Sequence, residues 1–193
     1  MTSSVSKGKG ASVLLAVLGL TYPFAVYMSW GRVPAGLLVV FALVLAGARL
    51  GLVRGSAAAR QLCMPLGIVA LATAAMGLIE AEAAAKAYPV LMSLGFAAAF
   101  GVSLLRPPTL VEVFASLREP CPSAAARRYM RRVTGIWFCF LLANAAVSLG
   151  VTVWGSDWWW ALYNGLLSYL LMALLFGGEW LVRRRVRMRE GAP

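Results

Sequence analysis

Charged residues along the chain fall in clusters and leave long apolar runs between them. Twenty-two uncharged residues separate Lys9 from Arg32, 16 separate Arg32 from Arg49, and 19 separate Arg60 from Glu80. A further 19 lie between Lys86 and Arg106, 24 between Arg132 and Asp157, and 21 between Asp157 and Glu179. A hydrocarbon slab of roughly 30 Å takes about 20 apolar residues of helix, so each run predicts one crossing. The second run is short, but arginines at its ends can snorkel outward and extend its reach. The expected fold is therefore all-α: a polytopic membrane protein whose six transmembrane helices lie near 11–30, 33–49, 61–79, 87–105, 133–154 and 158–182, with residues 1–193 forming a single integral membrane domain. Lys7 and Lys9 ahead of an apolar run resemble a secretory leader, but no small-x-small cleavage site follows and five more runs do. The first helix is expected to be retained.

One stretch breaks the pattern. In LLRPPTLVEVFASLREPCP, Leu104 to Pro122, Pro107 and Pro108 stop the fourth span, and Thr109 with Glu112 forms a Thr-x-x-Glu capping box that starts a new helix. Pro120 ends it. Leu110, Val113, Phe114 and Leu117 recur at i, i+3, i+4 and i+7, so one face is apolar while Glu112, Ser116 and Glu119 point elsewhere. A helix over 109–119 is too short to span and is expected to lie along the inner membrane interface, between spans four and five. Pro122-Ser123 then offers a cap for a helix that starts near Ala124 and carries Arg127, Arg128, Arg131 and Arg132 straight into the fifth span. At 100° per residue these arginines cover an arc of about 140°.

Composition changes the picture only in degree: 61% of the residues are hydrophobic, 13% are charged, and mean hydropathy is +0.79. The sign of the charge carries more. With six spans, the N-terminus, the second and fourth loops and the C-terminus share one side and hold 16 basic residues; the other side holds two, Arg32 and Lys86. The positive-inside rule then puts both termini in the cytoplasm, and a bacterial inner membrane is the expected site. The same rule absorbs the net charge of +11, so no nucleic-acid partner is expected. Trp and Tyr favour the headgroup level, which suits Tyr27 and Trp30 as well as Trp154 and the Trp158 to Trp160 triplet around the hairpin at Gly155 to Asp157.

The absence of histidine removes many catalytic and zinc-binding schemes. Asp157 is the single aspartate, so two-metal phosphoryl transfer and Asp-x-Asp glycosyl transfer lack their carboxylates. No phosphate loop and no nucleophile elbow occur, and Cys63, Cys121 and Cys139 have no ligand-like spacing. No cofactor, metal or catalytic residue is expected. An enzyme would have to use Glu179 or arginine-bound phosphate.

Within the spans, Glu179 is the ionisable candidate, because intramembrane charge is costly. Arg183 follows four residues later, in the order that favours an intrahelical pair. Asn164, Ser168, Met172, Leu175 and Glu179 line one face of the last span. Asn144 lies about 18 Å into the fifth span and Ser168 about 22 Å deep from the same side, so the two can meet. The polar set Asn144, Asn164, Ser168 and Glu179 has two readings, interhelical hydrogen bonding and a substrate path. Tyr22-Pro23 and Tyr88-Pro89 look alike, but an inverted duplication would put them on opposite sides, so no internal repeat is expected.

Three segments carry a resemblance: YPVLMSLGFAAAFGVSLLRPPTLVEVFASLREP from Tyr88, RRYMRRVTGIW from Arg127, and WALYNGLLSYLLMALLFGGEWLVRRR from Trp160 to Arg185. The chain in this half resembles an uncharacterised family of bacterial inner-membrane proteins from gene clusters for aryl polyene and xanthomonadin-type pigments. The specific elements are LLRPP, LREP, RR-x-T and ALYNG; Met1 to Ala87 matches only as apolar helices. The closing span is more distantly similar to the septation protein A (YciB) family. The resemblance implies a setting in which polyenes are built on acyl carrier proteins and attached to a lipid. Carrier proteins are typically acidic, so a basic face would suit them. The first functional reading is an accessory or scaffold protein supporting lipid-linked polyene assembly. It would dock carrier proteins, polyene biosynthetic enzymes or anionic membrane lipids through Arg106, Arg118, Arg127, Arg128, Arg131 and Arg132. For the insert itself the plainer alternative is a stop-transfer loop whose arginines touch lipid phosphates. The second functional reading is a small transporter or lipid flippase with a path lined by spans five and six. The sequence leaves the oligomeric state open.

Overall fold

The computed structural model describes residues 17–189 apart from 20, 30, 54–58 and 117–122, and the side chains of 49, 50, 52, 53, 59, 60 and 184–189 are also outside the description. Leu117, Arg118, Glu119, Pro120 and Cys121 therefore lie outside the described residues, as do the lysines of the N-terminus. The described residues form helices and short connections: α1 (helical at 17–19 and 21–29), α2 (Ala35–Val53), α3 (Ala59–Ile79), α4 (Ala81–Leu105), α5 (Leu110–Ser116), α6 (Ala124–Trp154), α7 (Asp157–Leu162), a π-helical turn (Tyr163–Leu167) and α8 (Ser168–Arg189).

Four helical runs among these residues are long and apolar enough to cross a bilayer: Gln61–Ile79, Ala81–Leu105, Ala124–Trp154 and Asp157–Arg183. The apolar stretch of α2, Ala35–Ala48, is shorter. The chain is an all-α, multi-pass membrane protein. Its many exposed leucines, valines and tryptophans fit that class, since lipid tails cover apolar side chains as well as a protein core does.

Helix boundaries extend past the apolar runs wherever the flanking residues are good helix formers. α4 begins at Ala81, six residues before the uncharged run, because AEAAAKA is rich in helix-favouring alanine and Glu82 pairs with Lys86 one turn on. Glu80 is then the one non-helical residue between α3 and α4, so these two form a tight antiparallel hairpin. Its walls touch where Gly95 lets α4 approach α3, since a Cβ there would sit 2.5 Å from Val69.

α4 is the central element, packed on α2 and α3 along one side and on α6 along the other. α6 runs antiparallel to it, with Gly101 facing Phe138 and Ser93 facing Asn144. The α7, π-turn and α8 run then returns along α6, with the Trp137 and Phe176 rings 4.5 Å apart. α1 closes the bundle through the buried Tyr22 and Val26. Tyr22 donates to the Ala85 carbonyl at 3.1 Å and meets the Tyr88 ring edge-on at 4.9 Å, so the two Tyr-Pro motifs touch at one level of the bundle. The buried core follows these contacts through Val26, Leu45, Leu66, Tyr88 and Trp160.

α5 corrects the expectation of a helix lying on lipid by its apolar face. Leu110 is 0% and Val113 5% exposed, both within the core cluster, whereas Phe114 is 47% exposed. The backbone explains the turn. The Leu110 amide donates to Ser103 Oγ on α4 at 3.1 Å, and Gln61 Nε2 on α3 donates to the Pro108 carbonyl at 2.7 Å, so both neighbours hold the entry to α5. The capping box is closed in both directions, Thr109 N to Glu112 Oε2 at 2.9 Å and Glu112 N to Thr109 Oγ1 at 3.4 Å.

Candidate functional site

Three polar regions lie along α6, one at each end and one within the bundle. The inner one is built by two chains of hydrogen bonds. Asn144 Nδ2 donates to Ser93 Oγ at 3.0 Å, and its Oδ1 accepts from the Tyr163 hydroxyl at 3.0 Å, so α4, α6 and the π turn are tied at one residue. Ser148 donates to Asn164 Oδ1 at 2.6 Å, Asn164 Nδ2 donates to the Trp160 carbonyl at 3.0 Å, and Ser168 donates to the Asn164 carbonyl at 3.2 Å. Asn144, Asn164 and Ser168 are all buried. They share one region without Asn144 and Ser168 bonding to each other. Such a network is satisfied internally, which removes the cost of burying amides and hydroxyls in an apolar bundle.

The π turn makes this network possible. One extra residue in the turn rotates what precedes it relative to α8 and brings Tyr163, Asn164 and Gly165 to the buried side together. Gly165 is needed there because a Cβ would meet Phe24 of α1 at 2.5 Å. Sequence periodicity assumes 3.6 residues per turn, so it gives no sign that Tyr163, Ser93 and Ser148 are partners. Their one signal is a scatter of small polar residues at mid-span.

Glu179 does not belong to this group. It lies 11 residues beyond Ser168 on α8, about 16 Å away along the axis, where Tyr129 of α6 and Arg183 are its neighbours. No Glu179–Arg183 ion pair forms among the described residues, contrary to the spacing argument. Glu179 instead lies near enough to Tyr129 for its charge to act on that side chain, so its neighbour is reached across helices rather than along one. Partial burial, and then the nearby Glu179 charge, raise the Tyr129 hydroxyl above its ordinary range against the opposing pull of Arg183.

At this end of α6, Ser123 caps the helix by accepting from the Ala126 amide at 3.2 Å. Arg127, Arg128, Arg131 and Arg132 are exposed, as is Arg106 at the end of α4, and none forms an ion pair among the described residues. At the opposite end Lys86 is held by Asp157 at 2.8 Å and by Glu82 at 3.7 Å, and Trp160 Nε1 donates to the Lys86 carbonyl at 3.1 Å. Lys86 thus joins α4 to α7. An open hollow of about 320 Å³ beside it is lined by Met76, Glu80, Glu82 and Thr152. The sequence pattern marks Lys86 and Asp157 only as charges on the outer side, and gives no sign of their pairing.

No family model matches the chain, and neither a curated protein nor a solved structure matches it.

Proposed function

We propose that this is a six-span inner-membrane accessory protein, with both termini in the cytoplasm, that holds an acidic soluble partner at the membrane. The setting is lipid-linked aryl polyene assembly, and acyl carrier proteins are the partner class. The observation that carries this reading is the state of the arginines. α6 continues for nine residues ahead of its apolar stretch, about 13 Å of helix, and Arg127, Arg128, Arg131 and Arg132 are exposed along it without an ion pair among the described residues. Arg127 and Arg128 stand about a turn farther from the hydrocarbon than Arg132, which suits a partner in water better than a lipid phosphate. The burial of Leu110 and Val113 supports it too, because α5 is braced on the bundle beside this face.

Transport along α6 and α8 is the second reading, favoured by the buried π turn, since such turns are frequent at functional sites. It has less support, because the hydrogen bonds of Asn144, Asn164 and Ser168 are used up within the bundle and Glu179 stands apart.

The test is association of purified acyl carrier protein with vesicles that contain the protein, measured against ionic strength. Wild type binds and releases at high salt, and Arg→Gln at 127, 128, 131 and 132 together weakens binding about ten-fold or more. Equal binding by that variant removes the reading. No binding of carrier protein to vesicles that contain the wild-type protein also removes it and leaves the arginines to lipid phosphates.

A further inference from the structure

α6 outruns its neighbour α4. Gly101 of α4 faces Phe138 of α6 and the two run antiparallel, so Leu105 at the end of α4 stands level with about Thr134. Residues 124–133 of α6, with Arg127, Arg128, Arg131 and Arg132, extend past that end. Within them Met130 and Val133 are nevertheless buried, each 6% exposed. α5 follows the end of α4 and packs on α6, so it takes the place of α4 beside this segment. Whatever fixes α5 bears on where the arginines point.

Two side chains from other helices hold the entry to α5. The buried Ser103 of α4 donates to the Phe100 carbonyl at 2.7 Å and accepts from the Leu110 amide at 3.1 Å, which joins α5 to the helix it already follows in the chain. Gln61 reaches farther. It stands in the first turn of α3, 47 residues before Pro108, and its Nε2 donates to the Pro108 carbonyl at 2.7 Å. Pro107 and Pro108 have no N–H, so their backbone offers only carbonyls and only the NH2 half of the amide can bind it. The other half stays unused: Gln61 Oε1 is buried without a hydrogen-bond partner among the described residues. Desolvation of that oxygen offsets part of the bond, so the contact is directional yet weak enough to open.

We propose that Gln61 is a positioning residue for the arginine face: its amide latches the Pro108 carbonyl to α3 and seats α5, and α5 in turn holds residues 127–132 of α6 in one orientation. The latch needs no partner, whereas its consequence for binding rests on the docking reading above. A segment already ordered loses less freedom when an acidic partner arrives, so the same four arginines bind more tightly.

The experiment uses the full chain in lipid nanodiscs, with hydrogen exchange of backbone amides as the first readout and affinity for purified acyl carrier protein as the second. Gln61→Met keeps the length of the side chain but has no N–H, and should speed exchange about three- to ten-fold at 110–116 and at 126–132. Exchange within α4 at 90–101 should stay at the wild-type rate, which separates a released latch from a weakened bundle. Gln61→Lys restores a donor without an orphan acceptor, so it should exchange no faster than wild type at either segment. Gln61→Glu sets a carboxylate against the Pro108 carbonyl and should exchange at least as fast as Gln61→Met. Carrier affinity should fall about three- to ten-fold in Gln61→Met with the salt dependence of wild type, because all four arginines remain. Unchanged exchange at 110–116 in Gln61→Met and Gln61→Glu overturns the latch, as does Gln61→Lys exchanging as fast as Gln61→Met. Faster exchange at 110–116 alone overturns the hold on α6, and faster exchange at 90–101 as well makes Gln61 a general packing contact and overturns the proposal. Wild-type carrier affinity in a variant whose two segments both exchange faster overturns the consequence for binding. If wild type binds no carrier protein, the docking reading fails and the exchange results alone decide the role of Gln61.

Discussion

At the scale of single residues, small differences of rotation decide the role of a polar group. Asn164 accepts from Ser148 and donates to the Trp160 carbonyl, so Asn164→Ala leaves the buried Ser148 hydroxyl without its acceptor and the Trp160 carbonyl with the Tyr163 amide alone. It should lower stability in detergent by about 1–3 kcal/mol, read as an earlier thermal midpoint. Gly165→Ala places a methyl against Phe24 and should cost about 1–3 kcal/mol, with Phe24→Leu in the same chain recovering part of the loss. By contrast, Asp157→Asn should change stability by under about 1 kcal/mol, because the Asp157 side chain of the Lys86 pair is 45% exposed. The depth of Asn144 and Ser168 at mid-span was legible in the sequence, and so was the place of Asn164 on the face that carries Ser168. What Asn144 meets was not: depth alone sets it level with Ser168, whereas the packing of α6 on α4 gives it Ser93 and its packing on the π turn gives it Tyr163. Glu179 was legible as a candidate, but the four-residue spacing pointed along the helix to Arg183, and Tyr129 is reached only across helices.

At the scale of elements, local chemistry was readable and orientation was not. Thr109 and Glu112 announce the start of α5, and both hydrogen bonds of the box are present. Yet the same amphipathic pattern fits a helix on lipid and a helix on protein, and Ser103 and Gln61 select the second. Thr109→Ala and Glu112→Ala should each cost about 1 kcal/mol, while the double variant should cost less than their sum because the two groups cap each other. Thermal unfolding of the four forms in detergent measures this. The π turn had no sequence signature, since one extra residue in a turn leaves the apolar pattern on either side intact. Alanine-rich flanks likewise hid the true start of α4, because apolar runs mark membrane thickness and not helix length.

At the scale of the whole molecule, apolar length and charge asymmetry identify a multi-pass membrane protein. Four described helices are long enough to cross. The proposed six-span arrangement would add α1 and α2, and 16 of the 18 basic residues would then share one side. The docking account depends on that side being the cytoplasm. The direct measurement is labelling by a membrane-impermeant maleimide in intact and opened cells, using Ser123→Cys and Ser156→Cys in a chain whose Cys63, Cys121 and Cys139 are replaced by alanine. Ser123 caps the arginine-bearing end of α6 and Ser156 caps α7 at the other end, and both are exposed. The account predicts that position 156 labels in intact cells and position 123 only after the membrane is opened. Labelling of position 123 in intact cells would put the arginine face outside and contradict it.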